Sequence, residues 1–351
     1  MNAITPLRRR RLSVPTVTLS HGGGGTAMRD LVEDVFVSAF AGDAAAPLED
    51  QARMDLAALA AGGDRLAFTT DGFVVDPLFF PGGDIGTLAV CGTVNDLAVG
   101  GAVPVMLSCA VVIEEGLAVD TLRRVAASMA DAARAAGVRI VTGDTKVVAR
   151  GACDKLFVTT SGVGVIRRGI EVGIGKARPG DVVLVNGPLG CHGATILAAR
   201  GDLGLDADLA SDCAPLNGLI GDLLDAAPGT RLMRDATRGG LAAVLTELAE
   251  ASGVGVLIAE EALPVTPAVR GLCELLGLDP LHLANEGVLV AVVPREQAAA
   301  ALAALRAHPL GGQAALIGGV TSERPGRVVM DTAFGQRTID LPVGDPLPRI
   351  C

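Results

Sequence analysis

Tryptophan and tyrosine are absent from these 351 residues, and phenylalanine occurs only eight times. Stacking of a nucleobase on indole or phenol rings is therefore excluded, so a base-binding slot must be aliphatic or Phe-lined. Positive charge is also scarce: 29 Lys and Arg stand against 39 Asp and Glu, for a net charge of -10. A nucleic-acid backbone or an anionic membrane surface requires a basic face, and neither is expected as a partner. The one basic cluster, Arg8-Arg-Arg-Arg11, is followed by Pro15, by polar residues and by four glycines, so no apolar export segment is expected behind it. The uncharged run at residues 97–113 is nearly long enough to span a bilayer, but it holds Gly100, Gly101 and Pro104 between Asp96 and Glu114. A helix end followed by a buried strand is the expected reading. The seven cysteines form no Cys-x-x-Cys pair and follow no secretory signal, which points to reduced thiols and a cytoplasmic location.

Half of the residues are hydrophobic, mostly Ala, Val and Leu, and the length suits two domains, each with its own core. Helical spacing of Val32, Val35, Phe36, Ala39 and Phe40 predicts a helix over residues 28–40. Residues 66–70 read as a strand ending at Asp71-Gly72, residues 105–113 as a second, and 138–141 as a short one running into Thr142-Gly143-Asp144. A helix over 120–136 closes at Gly137, and residues 156–166 form a further strand. A turn at Lys176-Ala-Arg-Pro-Gly180 opens a second half of the same style, with helices over 191–199 and 238–252 and strands over 255–259 and 288–293. The expected division is a loose tail at 1–14, domains at 15–166 and 167–340, and a proline-stiffened mobile arm at 341–351 that carries Cys351.

Five features carry chemistry. Gly22, Gly23, Gly24 and Gly25 precede a helix; successive glycines turn backbone N–H groups into one concavity, and a helix start adds positive potential, as a phosphate cradle needs. A flexible linker explains the run equally well. Asp71, Asp96 and Asp144 sit at expected strand ends or strand-adjacent turns, where carboxylates from one sheet converge on a hard cation such as Mg2+; singly, each is an ordinary turn residue. Arg234-Asp-Ala-Thr-Arg-Gly-Gly240 opens a helix, with Asp235 or Thr237 as a cap, and with Gly239 and Gly240 permitting close approach of a phosphate or of another backbone. Asn285-Glu-Gly287 would put Glu286 in a cleft, or would simply be a hairpin turn. Cys351 ends the arm: it is a carrier thiol or a frayed terminus, and it is not a prenylation site, which requires Cys four from the end. Cys191-His192 reads as a helix-start feature, since two adjacent residues cannot clamp one ion.

Across nearly the whole chain the sequence resembles the HypE hydrogenase maturation proteins, within the AIR synthase-like (PurM-like) superfamily of ATP-dependent enzymes. The resemblance rests on Leu19-Ser-His-Gly-Gly-Gly-Gly25, the segment from Asp71-Gly-Phe to Gly-Gly-Asp84, Gly92-Thr-Val-Asn-Asp-Leu-Ala98, Ile140-Val-Thr-Gly-Asp-Thr-Lys-Val147, Asp235-Ala-Thr-Arg-Gly-Gly-Leu241 and the ending Pro348-Arg-Ile-Cys351. It implies an α+β fold of two AIR synthase-like domains and a homodimer formed by the N-terminal sheets. It also implies ATP and Mg2+ between the domains, with Asp71, Asp96, Asp144 and Asp235 at the metal. Gly22 to Gly25, Asn95, Thr145, Gly239 and Gly240 would hold the nucleotide, Lys146 would serve the transferring phosphoryl group, and Glu286 would be the base. A carbamoyltransferase, HypF, would load Cys351; the S-carboxamide would lose water to an S-cyanide destined for iron on a HypC–HypD complex. Two departures stand out: Gly190-Cys-His-Gly193 where the family reads Gly-Asp-His-Gly, and Val99-Gly100-Gly101 where it carries a methionine turn. The alternatives are another enzyme of the superfamily, such as AIR synthase, thiamine monophosphate kinase or selenophosphate synthetase, and a non-catalytic maturation scaffold. None of the three enzymes needs a terminal Cys, and the scaffold needs neither the aspartates nor Lys146.

Overall fold

The computed structural model describes residues 11–40, 49–201, 208–341 and 349–351. The first half is built on β1 (Arg65–Phe73), α1 (Ile85–Val99), β2 (Ala102–Glu114), α2 (Val119–Ala136), β3 (Arg139–Val148) and β4 (Leu156–Ile166), with sheet order β1-β4-β2-β3. Parallel neighbours need a crossover, and α2 supplies the one between β2 and β3. Its buried residues Leu122, Val125, Ala126, Met129 and Ala133 recur at helical spacing, and Gly137, at φ 70°, ends it in the left-handed conformation. α1 starts on Asp84, whose carboxylate accepts the N–H groups of Gly86 and Thr87, and it is buried on almost every side. The uncharged run 97–113 is thus the end of α1 followed by β2, as expected. Among the described residues no helix is long and apolar enough to cross a membrane.

The helices cover one face of this sheet. On the other, side chains of Leu66, Phe68, Ser108, Asp144, Lys146 and Ser161 stand uncovered, with Phe68 73% exposed. The second half comprises β5 (Val182–Val185), α3 (Cys191–Ala199), α4 (Asn217–Ala226), β6 (Leu232–Asp235), α5 (Gly240–Ser252), β7 (Gly255–Ala259), α6 (Pro267–Leu276), β8 (Leu289–Val293), α7 (Ala298–Ala307), β9 (Ala315–Thr321), β10 (Val328–Thr332) and β11 (Gly335–Ile339). These strands form one sheet in the order β11-β10-β7-β9-β5-β8-β6. β5 and β8 are buried along their whole length because α5 packs on one face and α4 and α7 on the other, so both read as unbroken apolar runs.

Several local expectations need correction. The helix expected over 28–40 is interrupted by a π-helical stretch, Val32–Val37. β1 runs through Asp71 to Phe73 and β3 runs through Asp144 to Val148, so neither aspartate ends a strand, and Asp96 lies inside α1. Gly143 does not mark a turn: a Cβ there would stand 2.1 Å from the Cys109 carbonyl, so the glycine permits close strand approach. Of the expected N-terminal tail, residues 1–10 lie outside the described residues, while the Leu12 N–H donates to Asp34 at 3.1 Å. Of the C-terminal arm, residues 342–348 lie outside them as well.

Candidate active site

Four carboxylates gather where the two sheets meet. Asp71 comes from β1, Asp96 from the last turn of α1, Asp235 from the end of β6, and Glu286 from the turn before β8. Each is raised above its ordinary pKa, Asp71 by burial and the other three first by burial and then by their neighbours' negative charge. Asp96 feels Asp71; Asp235, pushed up to about 6, feels Asp96 and Asp71; Glu286 feels Asp212, Asp235 and Asp71. Against this trend the Thr69 hydroxyl donates to Asp96 at 3.0 Å, and Arg238 and Arg234 draw Asp71 and Asp96 down. Glu286 is 3% exposed, and its Oε1 has no hydrogen-bond partner. Among the described residues no three such groups surround a common point tightly enough to hold a metal ion as they stand. The all-oxygen donor set, the mutual repulsion and the orphaned oxygen nevertheless fit a hard divalent cation that arrives with phosphate ligands, and Asp71, Asp96 and Asp235 are the residues that would hold it.

Cys351 sits beside this cluster. Its thiol is 3.1 Å from the Arg238 guanidinium Nε, with Glu286 and Asp71 in electrostatic reach. Burial, and secondarily Glu286, push the thiol up to about 12, so the docked sulfur is uncharged at neutral pH. The last three residues are held mainly through their main-chain oxygens. The Asp76 N–H and the Arg200 guanidinium donate to Arg349 O at 3.3 and 3.0 Å, His192 Nε2 lies 2.6 Å from Ile350 O, and the Val74 N–H donates to Cys351 O at 3.1 Å. The Ile350 side chain is 4% exposed in a core cluster that joins residues of both halves, and Arg349 pairs with Asp154 and Asp76.

A second group of expected residues stands apart. Asp144 and Lys146 pair with each other at 2.8 Å, an interaction that holds the carboxylate below its ordinary pKa. Both lie on the uncovered face of β3, three strand spacings from β1, or about 14 Å at ~4.8 Å per spacing. Within one chain they do not join Asp71, Asp96 and Asp235. The glycine run goes with them: a Cβ on Gly22 would stand 2.9 Å from the Val147 nitrogen, whereas around Gly24, at φ 77°, and Gly25 there is open space. Thr145 is buried on the packed side of β3. Asn95 departs from the role expected of it. Its amide donates to the carbonyls of Ala214 and Glu286 and accepts the Leu216 N–H at 2.7 Å, so it braces the turn that holds Glu286 instead of reaching a phosphate. Gly240 resolves in favour of backbone approach, since a Cβ there would come within 2.5 Å of the Leu281 and Leu283 carbonyls.

Four participants escaped sequence reasoning. Arg238 lay within a motif noticed for its aspartate and glycines. His192 was read as a helix-start feature, yet it binds the tail across 158 positions. Ser211 and Asp212 lie in an irregular loop whose composition gives no signal; Ser211 contacts His192 at 2.8 Å, and Asp212 accepts the N–H groups of Glu286 and Gly287.

The family model described as "AIR synthase related protein, N-terminal domain" matches residues 48–166, and its C-terminal counterpart matches 178–331. The chain is 63% identical over 336 residues to a protein named carbamoyl dehydratase HypE from Rhodobacter capsulatus, covering 95% of this chain and 98% of the relative. It is similar to a crystal structure of hydrogenase maturation protein HypE in complex with ATP, with a TM-score of 0.90, 49% identity, and coverage of 96% of this chain and 100% of that one. It is also similar to a chain of a HypE–HypF complex, with a TM-score of 0.77, 49% identity, and coverage of 79% and 90%.

Proposed function

This chain belongs to the HypE carbamoyl dehydratases of the AIR synthase related family, and on that premise we propose that it uses ATP to remove water from an S-carbamoyl group on Cys351, leaving an S-cyanide. The observation that carries this reading is the seat of the terminal sulfur, 3.1 Å from Arg238 and within electrostatic reach of Glu286 and Asp71.

An amide oxygen is a poor leaving group. It takes the γ-phosphoryl group of ATP while one N–H proton is lost, giving a phosphorylated imidate. Loss of the second N–H proton then forms C≡N and expels phosphate, so ATP and the S-carboxamide become ADP, phosphate and the S-cyanide. Glu286 is the candidate base: it is buried beside the sulfur, it has a free oxygen, and once ionised it is more basic than an ordinary carboxylate. Arg238 and Lys146 are the cations suited to the transferring phosphoryl group. Mg2+ held by Asp71, Asp96 and Asp235 would neutralise phosphate charge and cancel part of the repulsion that raises Glu286. The buried setting keeps the activated amide from water.

Asp144, Lys146 and the glycine loop need a second copy of the chain. An uncovered sheet face carrying Phe68 and Leu66 suits face-to-face pairing, which would bring β3 of one copy toward β1 of the other and assemble each ATP site from both. Loading of Cys351 by HypF occurs with the tail released, because a docked neutral thiol is a poor nucleophile. The cyanide then passes to iron on HypC–HypD, in the cytoplasm, for [NiFe]-hydrogenase. Mass spectrometry of the C-terminal peptide after incubation with HypF, carbamoyl phosphate and ATP tests the reaction. The peptide should gain a carbamoyl mass and then lose one water; a carbamoyl adduct that never loses water overturns the proposal.

A further inference from the structure

The contacts of a neutral His192 ring fix its tautomer. Ile350 O only accepts, so the Nε2 atom 2.6 Å away carries the ring hydrogen. Nδ1 is then the acceptor and must receive the Ser211 hydroxyl hydrogen at 2.8 Å. That hydroxyl oxygen in turn accepts the Cys213 N–H at 3.1 Å. The donors therefore run one way, from Cys213 N–H through Ser211 and the imidazole to the carbonyl next to Cys351. With the tail docked the ring is fully buried, the Phe80 ring edge-on at 5.5 Å, so no water shares either contact in this state. Burying an imidazole is unfavourable unless both nitrogens are satisfied, and one of the two bonds exists only while the tail is docked.

We propose that His192, oriented by Ser211, is the latch that seats the carrier tail, and thus a positioning residue for the reaction at Cys351. The positioning role rests on the function proposed above; the latch itself does not. A main-chain oxygen of each residue from 349 to 351 meets a donor, yet His192 is the donor whose competence depends on a tautomer fixed from a distant loop. The same loop grips the candidate base, because Asp212 accepts the N–H groups of Glu286 and Gly287 at 3.1 and 2.9 Å. Two adjacent residues thereby set the carrier and the base against each other, as a near-attack arrangement requires.

The test uses the full-length protein without ATP or HypF, so it stands or falls separately from the dehydratase reading. Iodoacetamide alkylation of Cys351 is followed by mass spectrometry of the C-terminal peptide, with the buried Cys273 as a monitor of global opening. Ser211→Ala leaves Nδ1 without its donor and frees the ring to adopt the other tautomer, whose Nε2 lone pair faces the Ile350 carbonyl. Alkylation of Cys351 should accelerate on the order of 3- to 10-fold, the range lost with one neutral hydrogen bond. His192→Ala should exceed that, and Ser211→Thr, which keeps a hydroxyl, should restore the wild-type rate. Unchanged Cys351 alkylation in both Ser211→Ala and His192→Ala overturns the latch, as does acceleration that Cys273 matches in parallel.

Discussion

Replacing Ile350 by alanine should loosen the carrier tail by an amount that can be worked out. The side chain is 4% exposed and packs in a core cluster that joins residues of both halves. Three carbons leave the core, which at about 0.8 kcal/mol per carbon removes ~2.4 kcal/mol of docking free energy before any cavity term. At about 1.4 kcal/mol per tenfold, the released population rises about 50-fold. Two backbone amides report on it directly, because the Val74 N–H is bonded to Cys351 O and the Asp76 N–H to Arg349 O. Amide hydrogen exchange at these two positions should therefore accelerate by about that factor in Ile350→Ala, up to the rate of an unstructured peptide. The Val163 and Val165 amides of β4, in the middle of the sheet, should not move. Wild-type protection of Val74 and Asp76 in the variant would refute the assignment of Ile350 as the apolar anchor.

Four further outcomes are expected. Glu286→Gln should slow nitrile formation at least 100-fold, within the range for a general base (about 10²–10⁴), while HypF-dependent carbamoylation of Cys351 persists, both read from the C-terminal peptide mass. His192, lowered to about 4 chiefly by burial, is neutral in the folded protein and regains the ordinary value of about 6.5 when the chain unfolds, so its contribution is complete above pH 6.5 and is lost as pH falls toward 4. Between pH 7 and 5 the wild type should accordingly lose about 1–2 kcal/mol more stability than His192→Gln in urea titrations, and equal losses would contradict this. Chains carrying Asp71→Asn and chains carrying Lys146→Ala, each inactive alone, should recover roughly a quarter of wild-type turnover when mixed as dimers, since half the dimers are mixed and each keeps one intact site. Gly240→Ala should destabilise the protein by about 2–4 kcal/mol in the same titrations, through a left-handed alanine and a Cβ forced on two carbonyls.

The sequence was most legible where one residue's chemistry suffices. The acidic residues were singled out one by one by their chemistry, and Asp71, Asp96, Asp235 and Glu286 do share one neighbourhood, whereas a terminal thiol alone left a carrier and a frayed end equally open. It was least legible where a role depends on who sits opposite. Asn95 is an amide in a helix by sequence, and only the fold gives it the Ala214 and Glu286 carbonyls. Asp144 and Asp71 look alike in sequence, yet sheet order puts them on opposite edge strands. Asp-Gly and Gly-Asp read as turns because glycine's commonest use is a turn; at Gly143 it serves instead to let two strands close on each other. The His192 latch needs contacts 19 and 158 residues away, beyond any local pattern.

The way the tail is gripped suits the cargo proposed for it. In the proposed reaction the tail enters the cleft with a carboxamide on its sulfur and leaves with a nitrile. A seat that read the cysteine side chain would bind one of these states better and stall the cycle at it. Here the docking contacts fall mainly on the main-chain oxygens of residues 349–351, the Ile350 side chain and the Arg349 charge, all independent of what the sulfur bears. Arg238 is the exception: it donates to the sulfur itself and would meet the cargo instead once a carbamoyl group is present. Binding energy is thus assigned to the parts that do not react, and the one contact that senses chemical change lies among the acidic residues where phosphoryl transfer is proposed.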